Sequence, residues 1–148
     1  MDCTYKNNIG TFNYRVGAII INAGKILMVK PHNNDYYSIG GRVKLFETMD
    51  EAVTREVLEK TGIKVGIDRL FLIHENFFKL NGKDKYHELC IYYLMKPIDN
   101  IENINKFLIE KDIKESLESL DLDSINDYNI YPEFLKEEKI FEDNSILK

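Results

Sequence analysis

The chain carries no tryptophan, only two cysteines and three prolines among its 148 residues, and no excess of positive charge. Each shortage narrows the field. Cys3 and Cys90 lie far apart and form no metal-type spacing. A free thiol near the terminus and a small apolar filler in a strand are their plain readings, ahead of a disulfide or a nucleophile. A formal net charge of -5 argues against the basic face that nucleic-acid binding needs. It does not exclude a small anionic substrate, because a bound metal inverts the local field. The first residues, MDCTYKNNIG, lack the apolar stretch of a signal peptide. The longest aliphatic run, VGAIII, is far too short to span a bilayer. A soluble cytoplasmic protein without a membrane partner is the expectation. No internal repeat or low-complexity linker is visible.

What is present suits a single domain over residues 1–148. Hydrophobic residues make up 44% and charged residues 30%, ordinary for a globular chain whose length supports one sizeable core. NYRVGAIIINAGKILMVKP reads as two strands about a turn at Asn22 to Gly24. NNDYYSIGGRVKL carries turn residues, a short strand and a Gly-Gly step. A helix follows, roughly Met49 to Thr61. Thr48 and Glu51 form a capping-box pattern at its start, and Gly62 supplies a left-handed stop. IKVGIDRLFLIHENFFKL and KYHELCIYYLM read as strands joined by a hairpin turn at NGKD, and Pro97 closes that region. Asp99 to Ser119 shows no assignable pattern. IYPEFLKEEKIF reads as a second helix with Pro132 in its first turn, and the tail after Phe141 as frayed. Strands flanking a helix, with more helix near the end, predict an α/β or α+β sandwich around a mixed sheet.

On a helix, residues three and four apart share a face. Glu56, Glu59 and Lys60 therefore sit together, while Met49, Ala52, Val53 and Val57 form an apolar stripe. Two carboxylates about 5–6 Å apart repel by about 3 kcal/mol at an effective dielectric near 20, which calls for a cation. Two readings are open. Arg55 with Glu59, and Glu56 with Lys60, are i,i+4 pairs of the kind that make a solvated face. Alternatively, the two carboxylates hold a divalent metal.

The stretch GRVKLFETMDEAVTREVLEKTGI, Gly41 to Ile63, resembles the Nudix box, G-x(5)-E-x(7)-R-E-U-x-E-E-x-G-U with U a bulky aliphatic residue. Gly41, Glu47, Arg55, Glu56, Val57, Glu59, Gly62 and Ile63 fall in place, eight of nine specified positions; Lys60 stands where the box has its last Glu. This resemblance implies a Nudix-type α/β/α sandwich with a mixed central sheet. It implies a hydrolase that cleaves a phosphoanhydride bond of a nucleoside diphosphate linked to another moiety, of the nucleotide, nucleotide-sugar or ADP-ribose class. It also implies Mg2+ or Mn2+, with Glu56 and Glu59 as metal ligands, one of them serving as a base. Arg55 would orient these carboxylates. Glu47 would anchor Arg55 or bind metal through water, and the Gly41 carbonyl is a further candidate ligand. Magnesium suits such a site because it binds one or two carboxylates plus substrate oxygens and keeps several waters. A small-molecule nucleotide is then the partner, and a homodimer is a reasonable family expectation.

Lys60 changes the arithmetic: Glu56, Glu59 and Lys60 carry a formal charge of -1, where three glutamates would carry -3. Three outcomes are open. One metal survives on Glu56 and Glu59; or Lys60 meets the substrate phosphate and replaces part of a second metal's charge; or hydrolysis is lost and a nucleotide-binding domain remains. A structural domain with a merely solvated acidic helix is the third class of function.

Nudix enzymes often draw another acid or base from outside the box. Glu88 is the first candidate and Glu75 the second. In YHELCIYYL, Glu88 shares its side with Tyr86, Cys90, Tyr92 and Leu94, and a carboxylate in an apolar phase suggests a functional site. Strand alternation onto a solvent face is the plain reading. The pairs His74-Glu75 and His87-Glu88 lack the fixed spacing of a zinc site. Arg15, in phase with Ile19 and Ile21, and Lys30 are candidates for a phosphate or a ribose. Phe77, Phe78, Tyr86 and Tyr92 could stack on a base, or simply pack.

Overall fold

Apolar alternation in three long strands organises the molecule. The computed structural model describes residues 1–31, 33–98, 107–110 and 113–137. Within them lie β1 (Thr4–Lys6), β2 (Thr11–Asn22), β3 (Lys25–Lys30), β4 (Asp35–Tyr37), β5 (Ile39–Arg42) and helix α1 (Met49–Thr61). They continue with β6 (Val65–Leu80), β7 (Asp84–Pro97), β8 (Phe107–Glu110), β9 (Ile113–Asp121) and β10 (Asn129–Tyr131). Val16, Ala18 and Ile20 of β2, Leu27 and Val29 of β3, and Ile91, Tyr93 and Met95 of β7 enter one core. The intervening Ile19, Ile26, Met28, Cys90 and Tyr92 enter a second core. Successive strand residues point to opposite faces, so the sheet is buried on both.

The described strands form one mixed, curled sheet. Its main path runs β10-β4-β3-β2-β7-β6, with β1 and β5 on β2 and β9 on β3. The β2–β7 and β4–β10 pairs are parallel. β2 is shared between two halves. Residues Thr11 to Ile20 pair with β7, while Ile21 and Asn22 pair with β3. Helix α1 covers one face, with Ala52, Val53 and Val57 fully buried against the first core. The opposite face is closed by two 3-10 turns, Leu122–Asp127 and Glu133–Lys136, which place Ile125 and Leu135 in the second core. This layering is the α/β/α type that the sequence predicts.

The helix caps are as expected in outline. The Thr48 hydroxyl accepts from the Glu51 backbone N–H at 3.1 Å, and Gly62 takes φ 76°. The return bond of a capping box, from the Glu51 side chain to the Thr48 backbone, is not among the hydrogen bonds of the described residues. The Tyr93 hydroxyl donates to Asp50 at 2.8 Å and ties the first turn to the sheet.

One expectation is corrected. Residues Ile130 to Lys136 are not helical apart from the single turn Glu133–Lys136, and Ile130 belongs to β10 in register with Tyr36 of β4. Ile130 and Leu135 are each 1% exposed in the second core, so extending a helix back through Ile130 would cost both the strand pairing and this burial. Glu137 is extended, and residues 138–141 of that expected helix and the tail after Phe141 lie outside the described residues. The unassigned stretch before Ser119 contributes β8 and most of β9. Among the described residues no helix is long and apolar enough to cross a membrane.

Candidate active site

The loop between β5 and α1 brings Glu47 back onto the helix. The backbone takes positive φ (69°) at Phe46, whose side chain is 97% exposed. Glu47 then lies beside Arg55. Arg55 Nε donates to Glu47 Oε2 at 2.7 Å and Nη2 to Glu47 Oε1 at 2.9 Å, a two-point fork. Nη2 also donates to the Arg42 carbonyl at 3.1 Å. Nη1 donates to Glu56 Oε1 at 2.9 Å and to Glu59 Oε2 at 3.3 Å. A guanidinium has five N–H donors, and here each has an acceptor. One cation therefore fixes two helix carboxylates and the loop before them.

The electrostatics follow from this centre. Hydrogen bonds from Arg55 hold the Glu47 carboxyl down at about 2, and they raise the Arg55 pKa in turn. Burial pushes the Glu56 pKa up, against the opposing pull of Arg55 and Lys60. Glu56 is 13% exposed and Glu59 is 54% exposed, so one carboxylate is sheltered and its neighbour faces water. Gly41 explains itself here: a Cβ at this position would lie 2.2 Å from the Glu56 carboxyl. The strand backbone packs directly on that carboxylate.

Among the described residues no three His, Cys, Asp or Glu side chains converge as a metal cluster. The donors at hand for a metal are the Glu56 and Glu59 carboxylates and the backbone oxygen of Gly41. All are hard oxygens, and magnesium completes its shell with water and substrate oxygens. The missing Cβ at Gly41 lets the Glu56 carboxyl lie against the strand backbone, which brings these donors together.

Glu88 and Arg15 form a separate group. Tyr14 and Leu89 pack towards the core beneath α1, so alternation turns Arg15 and Glu88 to the other face. Glu88 Oε1 lies 3.9 Å from Arg15 Nε, and its Oε2 accepts from Asn13 Nδ2 at 2.8 Å. Both residues line a cavity of about 560 Å³ together with Tyr37, Asn76, Tyr92 and Tyr131. Glu75 is elsewhere, 61% exposed and 3.3 Å from His87. Lys30 lies 4.0 Å from Glu118 and over the ring of Tyr36. Phe77, 67% exposed, leans on His87 near the hairpin end of the sheet, while Phe78 stacks on Tyr86 and Tyr92 meets Phe134 edge-on. Lys60 acts at the helix through its charge on Glu56.

Sequence reading missed three parts of these sites: buried Asn13, the Arg42 carbonyl, and the stacked Tyr37–Tyr131 pair with centroids 5.5 Å apart. Asn13 alone had an available signal, because it shares the phase of Arg15 in β2.

A family model described as NUDIX domain matches residues 11–139. The chain is 34% identical over 61 residues to a MutT-like protein of Streptomyces ambofaciens, a match that spans 40% of either chain. The MutT NUDIX hydrolase of Burkholderia pseudomallei superposes with a TM-score of 0.58 at 24% identity, over 76% of this chain and 84% of that one. The MutT protein of Bacillus halodurans superposes with a TM-score of 0.64 at 19% identity, over 91% of this chain and 84% of that one. At such identities the structural likeness is one of fold.

Proposed function

The chain belongs to the Nudix hydrolase family, and on that premise we propose that it hydrolyses a phosphoanhydride bond in a nucleoside diphosphate joined to another moiety. Magnesium or manganese would be held by Glu56, Glu59 and the Gly41 carbonyl. The supporting observation is the Arg55 centre, in which every guanidinium donor is committed to orienting the loop and helix acceptors. A solvated helix face needs no such fork, since exposed pairs contribute little and are held loosely.

A bound divalent ion supplies charge neutralisation on the pyrophosphate and acidifies water. The chain's own residues supply the geometry. Glu47 fixes Arg55, and Arg55 fixes Glu56 and Glu59. Lys60, whose charge is felt at Glu56, offers an ammonium to a phosphate oxygen. That contact would replace charge which a third carboxylate would otherwise recruit as metal.

The test is phosphate-detected hydrolysis of nucleoside triphosphates, ADP-ribose, nucleotide sugars and dinucleoside polyphosphates, with magnesium or manganese. The natural chain should turn over at least one of these and stop on chelation. Glu56→Gln and Glu59→Gln should each lower kcat by about a hundredfold or more, the scale of losing a group that stabilises the transition state. Silence from the natural chain, with turnover by Lys60→Glu, would show that the chemistry is switched off at that residue.

A further inference from the structure

Strand β6 leaves one edge of the sheet open. Among the described strands it pairs only with β7. An unpaired edge is a template for another strand, and chains commonly blunt it with a proline, a bulge or a charge. The first half of β6 is blunted: its register with β7 shifts between Ile67 and Arg69 and again between Leu70 and Leu72. From Leu72 to Leu80 the register is unbroken and no proline intervenes, up to the turn where Asn81 and Gly82 take positive φ. Ile73, Phe77 and Leu80 are exposed along this half.

The charges of this half decide what can join it. Ile73 lies opposite Ile91 of the first core, so alternation puts Ile73, Glu75, Phe77 and Lys79 on the α1 side of the sheet. Lys79 is in register with Lys85 of β7, and like charges set directly opposite each other repel. An added strand is therefore favoured if it brings a carboxylate beside Lys79, an apolar residue beside Phe77 and a cation beside Glu75. Read backwards about Phe77, the chain's own sequence supplies these: Lys79, Phe77 and Glu75 run against Glu75, Phe77 and Lys79.

We propose that a second copy of this chain pairs antiparallel with β6, about a two-fold axis through Phe77. Copies related by an axis normal to the sheet have their faces in common, so residues directly opposite share a side of the strand. The axis must then pass through a residue, not between two. Centring on Glu75 opposes two carboxylates. Centring on Asn76 sets Glu75 against Phe77 and Lys79 against Ile73, and centring on Phe78 sets Lys79 against Phe77. The Phe77 centre pairs Glu75 with Lys79, and the symmetry makes that pair twice. It overlaps the two strands from His74 to Leu80, short of the turn. Phe77 meets its counterpart, with His87 behind it at 4.4 Å and Phe12 5.1 Å beyond that, so an aromatic row runs across both copies.

The experiment reads assembly and register separately, and neither arm uses turnover. Sedimentation velocity from micromolar to near-millimolar concentrations should show monomer giving way to dimer, the weak end of specific interfaces. Glu75→Lys and Lys79→Glu should each raise the dimer Kd tenfold or more. The double swap should restore it to within about threefold, which also shows that the single variants did not act by misfolding. Register is read by cross-linking with Cys3→Ser in the background, Cys90 being buried. Phe77→Cys should form a disulfide between copies under mild oxidation, since directly opposite Cα atoms lie about 4.5–5.5 Å apart. Asn76→Cys should not, since it meets its own counterpart only on the diagonal, roughly 7–8 Å away. A monomer at every concentration, or a dimer that neither single swap weakens, overturns the proposal. So does a Phe77→Cys chain that cross-links no better than Asn76→Cys, because the copies would then meet elsewhere or in another register.

Discussion

Arg55 shows how one residue sets a site. Its fork holds Glu47 at two points, and the remaining N–H groups reach Glu56, Glu59 and the Arg42 carbonyl. Lysine has the charge but not the planar, multi-point geometry. Arg55→Lys should therefore keep the fold and lower kcat by about 10- to 100-fold, since charge-assisted, bidentate bonds are lost; steady-state kinetics and a thermal melt separate the two effects. Gly41→Ala tests the same geometry from the strand side. A methyl group 2.2 Å from the Glu56 carboxyl must push it off Arg55. The magnesium concentration giving half-maximal activity should rise tenfold or more, and an unchanged value would remove Gly41 from the metal site. Most of this centre was legible in the sequence because its members lie within one loop and one helix, where spacing dictates proximity. The pairing of Asn13 with Glu88 was not, because it depends on strand register across 75 residues.

At the scale of elements, α1 is specified locally and the C-terminal region is not. Thr48 and Gly62 bound the helix as the sequence predicts. Thr48→Ala removes an acceptor from an N–H at the helix start, and Gly62→Ala places a Cβ at φ 76°. Each should lower stability by about 1 kcal/mol, read as a shift in urea midpoint with unchanged slope. The stretch after Asn129 carries residues compatible with helix, yet Ile130 enters the sheet beside Tyr36. Tertiary burial outweighs local propensity there, which is why periodicity alone misassigned it. Gly17 belongs to this scale too. Packing between β2 and β7 leaves no room for a side chain beneath Tyr92, a fact that no local pattern carries.

For the whole molecule, the titrating groups define a pH window. The Glu47 carboxyl drops from 4.5 to about 2, so its stabilisation is complete above 4.5 and lost as pH falls through about 2. Burial raises Cys90 from 9.0 to about 11 and Tyr36 from 10.0 to about 12, helped for Tyr36 by its hydrogen bond to Glu118. Their contributions are complete below the ordinary values and lost as pH rises through the raised ones. Glu56, raised by burial, acts in the opposite sense to Glu47, and its contribution is lost as pH rises through its folded value. Calorimetry should find the highest Tm between about pH 5 and 9, with a fall on either side. Glu47→Gln should lower that maximum and shallow the acid limb; an acid limb unaltered by this variant would remove Glu47 from the account.

The sequence by itself determined the acidic helix α1, its caps, its buried stripe and the family to which the box points. These are short-range properties, set by spacing along one helix and the loop before it. Tertiary structure decided which face each outlying residue joins. Glu88, Arg15 and Asn13 meet because β2 and β7 pair in parallel in one register, and Ile130 becomes a strand because the second core accepts it. Alternation along a strand leaves two faces equally available, and only the packing of the whole sheet chooses between them.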